Sequence, residues 1–454
     1  MNLSEQFASW INEFGYEQMP ETAIKDVKRA FLDTVGVAAA GADEDVSVKV
    51  LEYAEMDRAG GSSTVIAKGR KFSPATAGFI NAVMAHVLDY DDVNPPTKCH
   101  ASSVLAPAVL AAGEDAGSSG KDLIAAYAVG LEIMAKIGVL LGPEHYEWGW
   151  HTTTTLGAFG AAAAAAKLYG LPVPQIINAL GIIASQIGGL RRNFGTMTKS
   201  LHSGFAVENG IMAALLARQG VTAGRDVFEG DIGFIRLYGN RPETGSLPAV
   251  DFSGPLEICE SGLSIKRYPS CYGTHRSADA VLDHILVEHA IDPSAIESIS
   301  CISPQGAFMA VIHDRPSTGL EGKFSVQYVI AAALVDKKLD INSFTDEMVQ
   351  RPQIQELIRK VRKIEEPIGP PGSHLSDEQK YCIIRLQMSD GSIAEARVDT
   401  PKGARSDPLS DKQLEEKFRS CTRKSHSTAQ TENIISIIND LENLQNTAEL
   451  SKWF

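Results

Sequence analysis

No Cys-x-x-Cys pair occurs in this 454-residue chain; its six cysteines, Cys99, Cys259, Cys271, Cys301, Cys382 and Cys421, are scattered. That argues against thiolate zinc frameworks and fits reduced thiols in a cytoplasmic protein. No run of roughly 18 uninterrupted apolar residues appears, so no membrane span is expected. The N-terminus, MNLSEQFASWINEFGYEQMP, lacks a basic start followed by an apolar core, so no secretory signal is expected. There is no G-x-G-x-x-G after a strand, no G-x-S-x-G and no H-E-x-x-H, so dinucleotide binding, the nucleophile elbow and zincin chemistry have no support. Positive charge is also scarce overall. The formal net charge is -14, which argues against nucleic acid or an anionic membrane as the main partner. A site for an anionic substrate must therefore concentrate Lys, Arg and His locally.

What is present is a globular composition, with 44% hydrophobic and 22% charged residues, in a chain long enough for two domains. The first 250 or so residues read as helices. Helical periodicity or helix-boundary signals predict Ser4 to Phe14, Glu21 to Ala40, Pro74 to Leu88, Ser103 to Ala116, Lys121 to Leu141, Leu156 to Tyr169, Pro174 to Gln186 and Gly204 to Gln219. The run Ala161 to Ala166 marks a helix that others can approach closely. Near residue 255 the character changes. Ile296 to Ile302 alternates like a strand, and Tyr381 to Met388 with Ser392 to Val398 reads as a hairpin around Asp390-Gly391. Helices His275 to His289 and Phe324 to Asp336 accompany an expected antiparallel sheet, and Pro367 to Gly372 reads as a loop. Ser410 to Cys421 and Ser427 to Asn443 return to helix. The fold class is thus mainly α: a helical domain over residues 1–262, completed by 404–454, and an α+β domain over 263–403.

Five stretches concentrate polar residues inside apolar sequence: His86 to His100, Trp148 to Thr155, Thr196 to Gly204, Ser264 to Arg276 and Pro316 to Tyr328. Lys199, Lys266 and Arg267 can hold carboxylates. His100, His151, His202 and His275 can move protons near neutral pH. Tyr328 can donate a proton or hydrogen bond. Asp89, Asp91 and Asp92 can orient a His or keep a Lys charged. Asp91 and Asp92 diverge and no calcium loop follows, so no metal site is expected. Cys271 reads as a packed thiol.

Taken in order, LDYDD (88–92) with His100, GWH (149–151), TKSLHSG (198–204), IKRYPSCYGTHR (265–276), EGKFSVQY (321–328) and the late stretch Pro401 to Phe418 resemble the MmgE/PrpD family, and the matches span nearly the whole chain. The resemblance implies a large all-helical domain with a smaller α+β lid domain, a homodimer, and no cofactor. It implies a lyase acting on a small polycarboxylate. Decarboxylation of cis-aconitate to itaconate leads, ahead of dehydration of a 2-methylcitrate or citrate type of substrate and epimerisation of an iminodisuccinate-like dicarboxylate. Carried over residue by residue, it implies catalytic roles for Asp89, His100, His151, Lys199, Lys266 and Tyr328. Arg267, His202, Cys271 and His275 join them as substrate-binding candidates. Two positions depart from the decarboxylase pattern: Val93 stands where a Thr is found, and Cys271 where a His is found. Motifs on both sides of the change in character put the site in a cleft between domains.

Overall fold

The computed structural model describes residues 1–57, 60–239, 250–369, 375 and 379–454. The helical part is built from α1 (Leu3–Glu13), α2 (Glu21–Gly41), α3 (Pro74–His86), α4 (Ser102–Ala116), α5 (Gly120–Leu141), α6 (Thr152–Leu168), α7 (Val173–Ala184) and α8 (Met197–Arg218). Their starts follow local chemistry. Asn2 with Glu5 and Ser119 with Asp122 form reciprocal capping boxes, and Pro74 sits in the first turn of α3 behind the Ser73 cap. Between α2 and α3 lie a helix at Asp45–Asp57, absent from the sequence expectation, and a short hairpin of Ser63–Thr64 with Lys71–Phe72.

Helix α6 is the centre of this layer. Its alanines 161 to 166 are fully buried, and α4, α5, α7 and α8 pack around it. Small residues set the spacing. A Cβ added at Gly210 on α8 would stand 2.6 Å from the Ala161 Cβ and 2.8 Å from the Ala162 nitrogen. Helix α5 is long and apolar enough to cross a membrane, but 83% of its most apolar window is buried against these neighbours.

A second core begins after Ile265 and gathers side chains from Tyr268 to Val398, joined by Phe194 from the helical part. It holds β1 (Ile296–Pro304), α9 (Val326–Asp336), α10 (Pro352–Lys360), β2 (Val361–Glu366), β3 (Cys382–Met388) and β4 (Ile393–Val398). The sheet order is β2-β1-β3-β4. The hairpin of β3 and β4 is antiparallel, as is β1 with β3, but β1 and β2 run parallel from Ile299↔Val361 to Pro304↔Glu366. The sheet is therefore mixed, not antiparallel. The crossover through α9 and α10 lets β2 return in the same direction as β1. The helix expected at His275 to His289 is continuous to Glu288 but contains a π segment at Ala280–Ile285. The expected loop at 367–372 passes outside the described residues at 370.

After β4 the chain rejoins the first core. Helices α11 (Asp411–Thr422) and α12 (Thr428–Asn439) start at capping boxes on Ser410 and Ser427 and pack on α2. The α6–α8 contact yields a prediction. Gly210→Ala leaves no room for its methyl and should lower stability by about 1–3 kcal/mol; an unchanged urea midpoint would mean the two helices separate easily.

Candidate active site

The segment after α3 carries the chemistry. Asp89 adopts a left-handed backbone, φ 51°, unusual for a residue with a Cβ. Three consecutive carbonyls there each accept a hydrogen bond from a buried lysine. Lys323 Nζ donates to the Leu88 oxygen at 2.8 Å, Lys266 Nζ to the Asp89 oxygen at 2.8 Å, and Lys417 Nζ to the Tyr90 oxygen at 2.9 Å. These lysines come from the second core, from the segment leading into it, and from α11. Lys417 also pairs with Asp33 at 2.6 Å and donates to the Lys266 oxygen at 2.9 Å. One strained loop is thereby fixed by three distant parts of the chain.

The Asp89 carboxylate, 1% exposed, lies between two ammonium groups: Lys199 donates to it, and Lys266 stands 3.1 Å away. Burial alone would raise its pKa, but Lys199, Lys266 and His100 outweigh that and hold it well below the usual carboxylate range. Lys199 reaches it from the first turn of α8, which starts seven residues before the expected Gly204, so Lys199 and His202 lie on a helix. The Lys199 ammonium stands 5.7 Å from the Phe194 ring centroid and 5.3 Å from that of Phe324, two aromatics contributed from either side of the cleft.

Beside this ion cluster stand four imidazoles. Asp91 bridges two of them, with His86 Nδ1 at 2.7 Å and His100 Nδ1 at 3.2 Å. His151 and His202 share a proton between their Nδ1 atoms at 2.9 Å. The rings of His86 and His100 are 4.6 Å apart, and those of His86 and His151 are 5.8 Å apart. Burial, reinforced by the lysines, disfavours their charged forms. His100 is lowered, His151 is well below its ordinary value, and His86 and His202 fall to about 4. At neutral pH the histidines are uncharged. Asp91, held low against its own burial by His86 and His100, is ionised. His86 then carries its proton on Nδ1, hydrogen-bonded to Asp91, while the His100 ring lies between the two carboxylates with Nε2 3.8 Å from Asp89.

Ligand atoms of His86, Asp89, Asp91 and His100 lie within 4.8 Å of one another, as do those of His86, His100 and His151. Either set has the size of a metal centre. Two ammonium groups already occupy Asp89, and a divalent cation there would meet their repulsion, so the donor set suits a proton network better than a metal.

The cluster opens into a cavity of about 960 Å³ between the two cores. His100, His151 and Lys199 line it from the helical side, and Cys271, Arg276 and Phe324 from the other. The structure thus brings together Asp89, His100, His151, Lys199, Lys266 and His202. Cys271 is on the wall as a neutral thiol, pushed up to about 11 by burial. Three expected residues lie elsewhere. The Tyr328 hydroxyl donates to the Ser343 carbonyl inside the second core, where the ring packs on Phe344. Arg267 is committed to Asp279 and Asp283. His275 is buried between Tyr268 and Tyr272, with Nε2 3.3 Å from the Ser270 carbonyl. None of the three is on the cavity wall formed by the described residues. Asp92, buried against Ser102, is pushed up to about 7 and also takes no part in the wall.

Sequence reasoning passed over His86, Lys323, Lys417, Phe194 and Phe324. The only signal for His86 was its place five residues before Asp91, at the end of an apolar helix. A titration follows from the histidine shifts. The unfolded chain protonates His86 and His202 near pH 6.5, while the folded chain keeps them neutral down to about 4. Folding stability should therefore fall as pH drops through that window, before the low-lying Asp89 and Asp91 contribute. Urea midpoints independent of pH between 6.5 and 4 would contradict the neutral cluster.

With this geometry in hand, the comparisons with known proteins are direct. Residues 5–246 match the MmgE/PrpD N-terminal domain, and residues 268–443 match the MmgE/PrpD C-terminal domain. The chain is 31% identical to a cis-aconitate decarboxylase from Mus musculus, an alignment covering 99% of this chain and 93% of the mouse protein. It is 32% identical to that of Homo sapiens, covering 99% and 94%, and 26% identical to that of Aspergillus terreus, covering 99% and 95%. The buried lysine and histidine cluster therefore sits in a chain that belongs to the MmgE/PrpD family.

Proposed function

We propose that this chain is a carboxy-lyase that converts cis-aconitate to itaconate and carbon dioxide without a cofactor. The observation that carries the reading is the Asp89-centred pair of ammonium groups beside an imidazole cluster, open to an interdomain cavity. Similarity over nearly the full length to cis-aconitate decarboxylases supports it.

The chemistry asks little of a cofactor. The bond between the methylene carbon and its carboxylate breaks, and carbon dioxide leaves. The electron pair spreads over the allylic system onto the carbon beside the other terminal carboxylate. Protonation of that carbon gives itaconate. Negative charge grows on the oxygens of the retained terminal carboxylate, and Lys199, with Lys266 behind it, stabilises it there. Asp89 keeps both lysines charged and in place. His100 and His151 are the proton donors to this carbon. They are neutral in the empty site, and the charge of a bound polyanion raises their proton affinity, so protonation accompanies binding. The resemblance also supports a lid role for the second core, a cytoplasmic location and a homodimer, which light scattering would register as twice 48.8 kDa.

Proton NMR of the purified protein with cis-aconitate, without added metal, should show itaconate appearing. Loss of water from citrate or 2-methylcitrate in its place would make the chain a dehydratase. Lys199→Ala and Lys266→Ala should each reduce turnover by about 10²-fold or more while the fold persists. Near-normal rates in either variant would remove that lysine from the mechanism.

The pH profile offers a separate check. A required imidazolium whose pKa is lowered is less populated at every pH, so kcat/KM should fall as pH rises from 6 to 8. A profile rising over that range would assign the histidines a base role instead.

A further inference from the structure

The inner cluster is close to electrical balance before any substrate arrives. Lys199 and Lys266 supply two positive charges, Asp89 and Asp91 two negative ones, and the imidazoles are neutral. Lys323 adds a third buried ammonium, but it is committed to the carbonyls of Leu88 and Pro269. A tricarboxylate brings three negative charges into this nearly balanced site. A cation must meet them from elsewhere on the wall, and one that is not already engaged by a protein carboxylate would serve best. Arg405 is paired with Asp26, and Arg276 donates to the Asp399 carbonyl.

Lys98 is different. It lines the same cavity as His100, His151 and Lys199. Its ammonium stands 4.9 Å from the centre of the Tyr146 ring, and among the described residues no acceptor takes a hydrogen bond from it. The Arg191 guanidinium lies 4.1 Å from the same ring, so two cations converge on one aromatic platform. Burial, with Lys380 and Arg191 nearby, lowers the Lys98 pKa against the opposing charge of Glu147, and a bound anion would oppose that lowering further. The backbone fixes where this side chain starts. Lys98 has a left-handed φ of 55°, its carbonyl accepts from Thr152 Oγ1 at 3.0 Å, and the next turn is held by His100 N donating to Thr153 Oγ1 at 3.1 Å. The loop bearing Lys98 is thus fastened to the start of α6, immediately after His151.

We propose that Lys98 is a specificity-determining residue whose ammonium binds the central carboxylate of a tricarboxylate substrate and selects it over dicarboxylates. The inference deepens the decarboxylase reading and rests on it for the identity of the substrate. In ground state and transition state alike that carboxylate keeps its charge, so the contact acts mainly on binding.

The test is Lys98→Met, which keeps the stem and removes the charge, with Lys98→Arg as the conservative rescue. For cis-aconitate, Lys98→Met should raise KM by tenfold or more, with the loss falling on KM more than on kcat, and Lys98→Arg should recover most of it. Calorimetry supplies a readout independent of turnover, using propane-1,2,3-tricarboxylate and pentanedioate as probes. Wild type should prefer the tricarboxylate, and Lys98→Met should weaken that ligand tenfold while leaving the dicarboxylate within twofold. If wild type turns over no cis-aconitate yet Lys98→Met still abolishes this preference, the role of Lys98 stands and the decarboxylase reading falls. An unchanged KM and an unchanged preference in Lys98→Met overturn the proposal, as does a wild type that shows no preference for the tricarboxylate.

Discussion

Everything at the active site depends on how the carbonyls of Leu88, Asp89 and Tyr90 are held. A left-handed turn at a residue with a Cβ is not self-sustaining, and a buried carboxylate flanked by two ammonium groups is costly to assemble from water. Three lysines from three regions make both tolerable. Lys266 performs two tasks at once, donating to the Asp89 carbonyl and pairing with the Asp89 carboxylate. Lys323 carries the second core onto the same loop, and Lys417 brings in α11. Removing any one leaves a charge or a carbonyl buried without its partner, so the ion cluster, the loop and the domain contact form one cooperative unit.

The cavity inverts the electrostatics of the molecule. A chain of net charge -14 builds a site that receives anions, using lysines whose charges are largely cancelled in place. The result is a pocket that is poised but not strongly positive, lined by histidines kept neutral through burial. An incoming polyanion changes the proton affinity of those histidines. In the proposed mechanism, recognition of charge and supply of the proton are therefore coupled through the same Coulomb interaction.

Much of this was legible in the sequence, and the failures have physical causes. Helices such as Glu21–Gly41 and Gly120–Leu141 announce themselves by apolar period and by caps, and the Asp390-Gly391 turn marks its hairpin. Strand Val361–Glu366 did not, because it is an edge strand with the sequence VRKIEE and only Val361 fully buried. Its parallel pairing depends on a crossover that no local pattern encodes. For the site, residue type and the family resemblance pointed to Asp89, His100, His151, Lys199 and Lys266, which do converge. Tyr328, Arg267 and His275 have the same chemistry in motifs just as suggestive, yet side chains and carbonyls within the second core absorb them: Ser343, Asp283 and the Tyr268–Tyr272 pair. Lys417 was the hardest to see. A lysine on an amphipathic helix reads as solvent-facing, and only the tertiary fold turns it inward to Asp33 and Tyr90.

That lysine also sets an order of events. Lys417 lies more than three hundred residues after the loop it fastens. A ribosome releasing this chain exposes the helical layer, then the second core, and only after both the helix that bears Lys417. Domains tend to fold as they emerge, so the loop waits through the emergence of both cores without one of its three fasteners. The nascent protein can be largely folded and still lack a formed centre until the Lys417 helix has emerged.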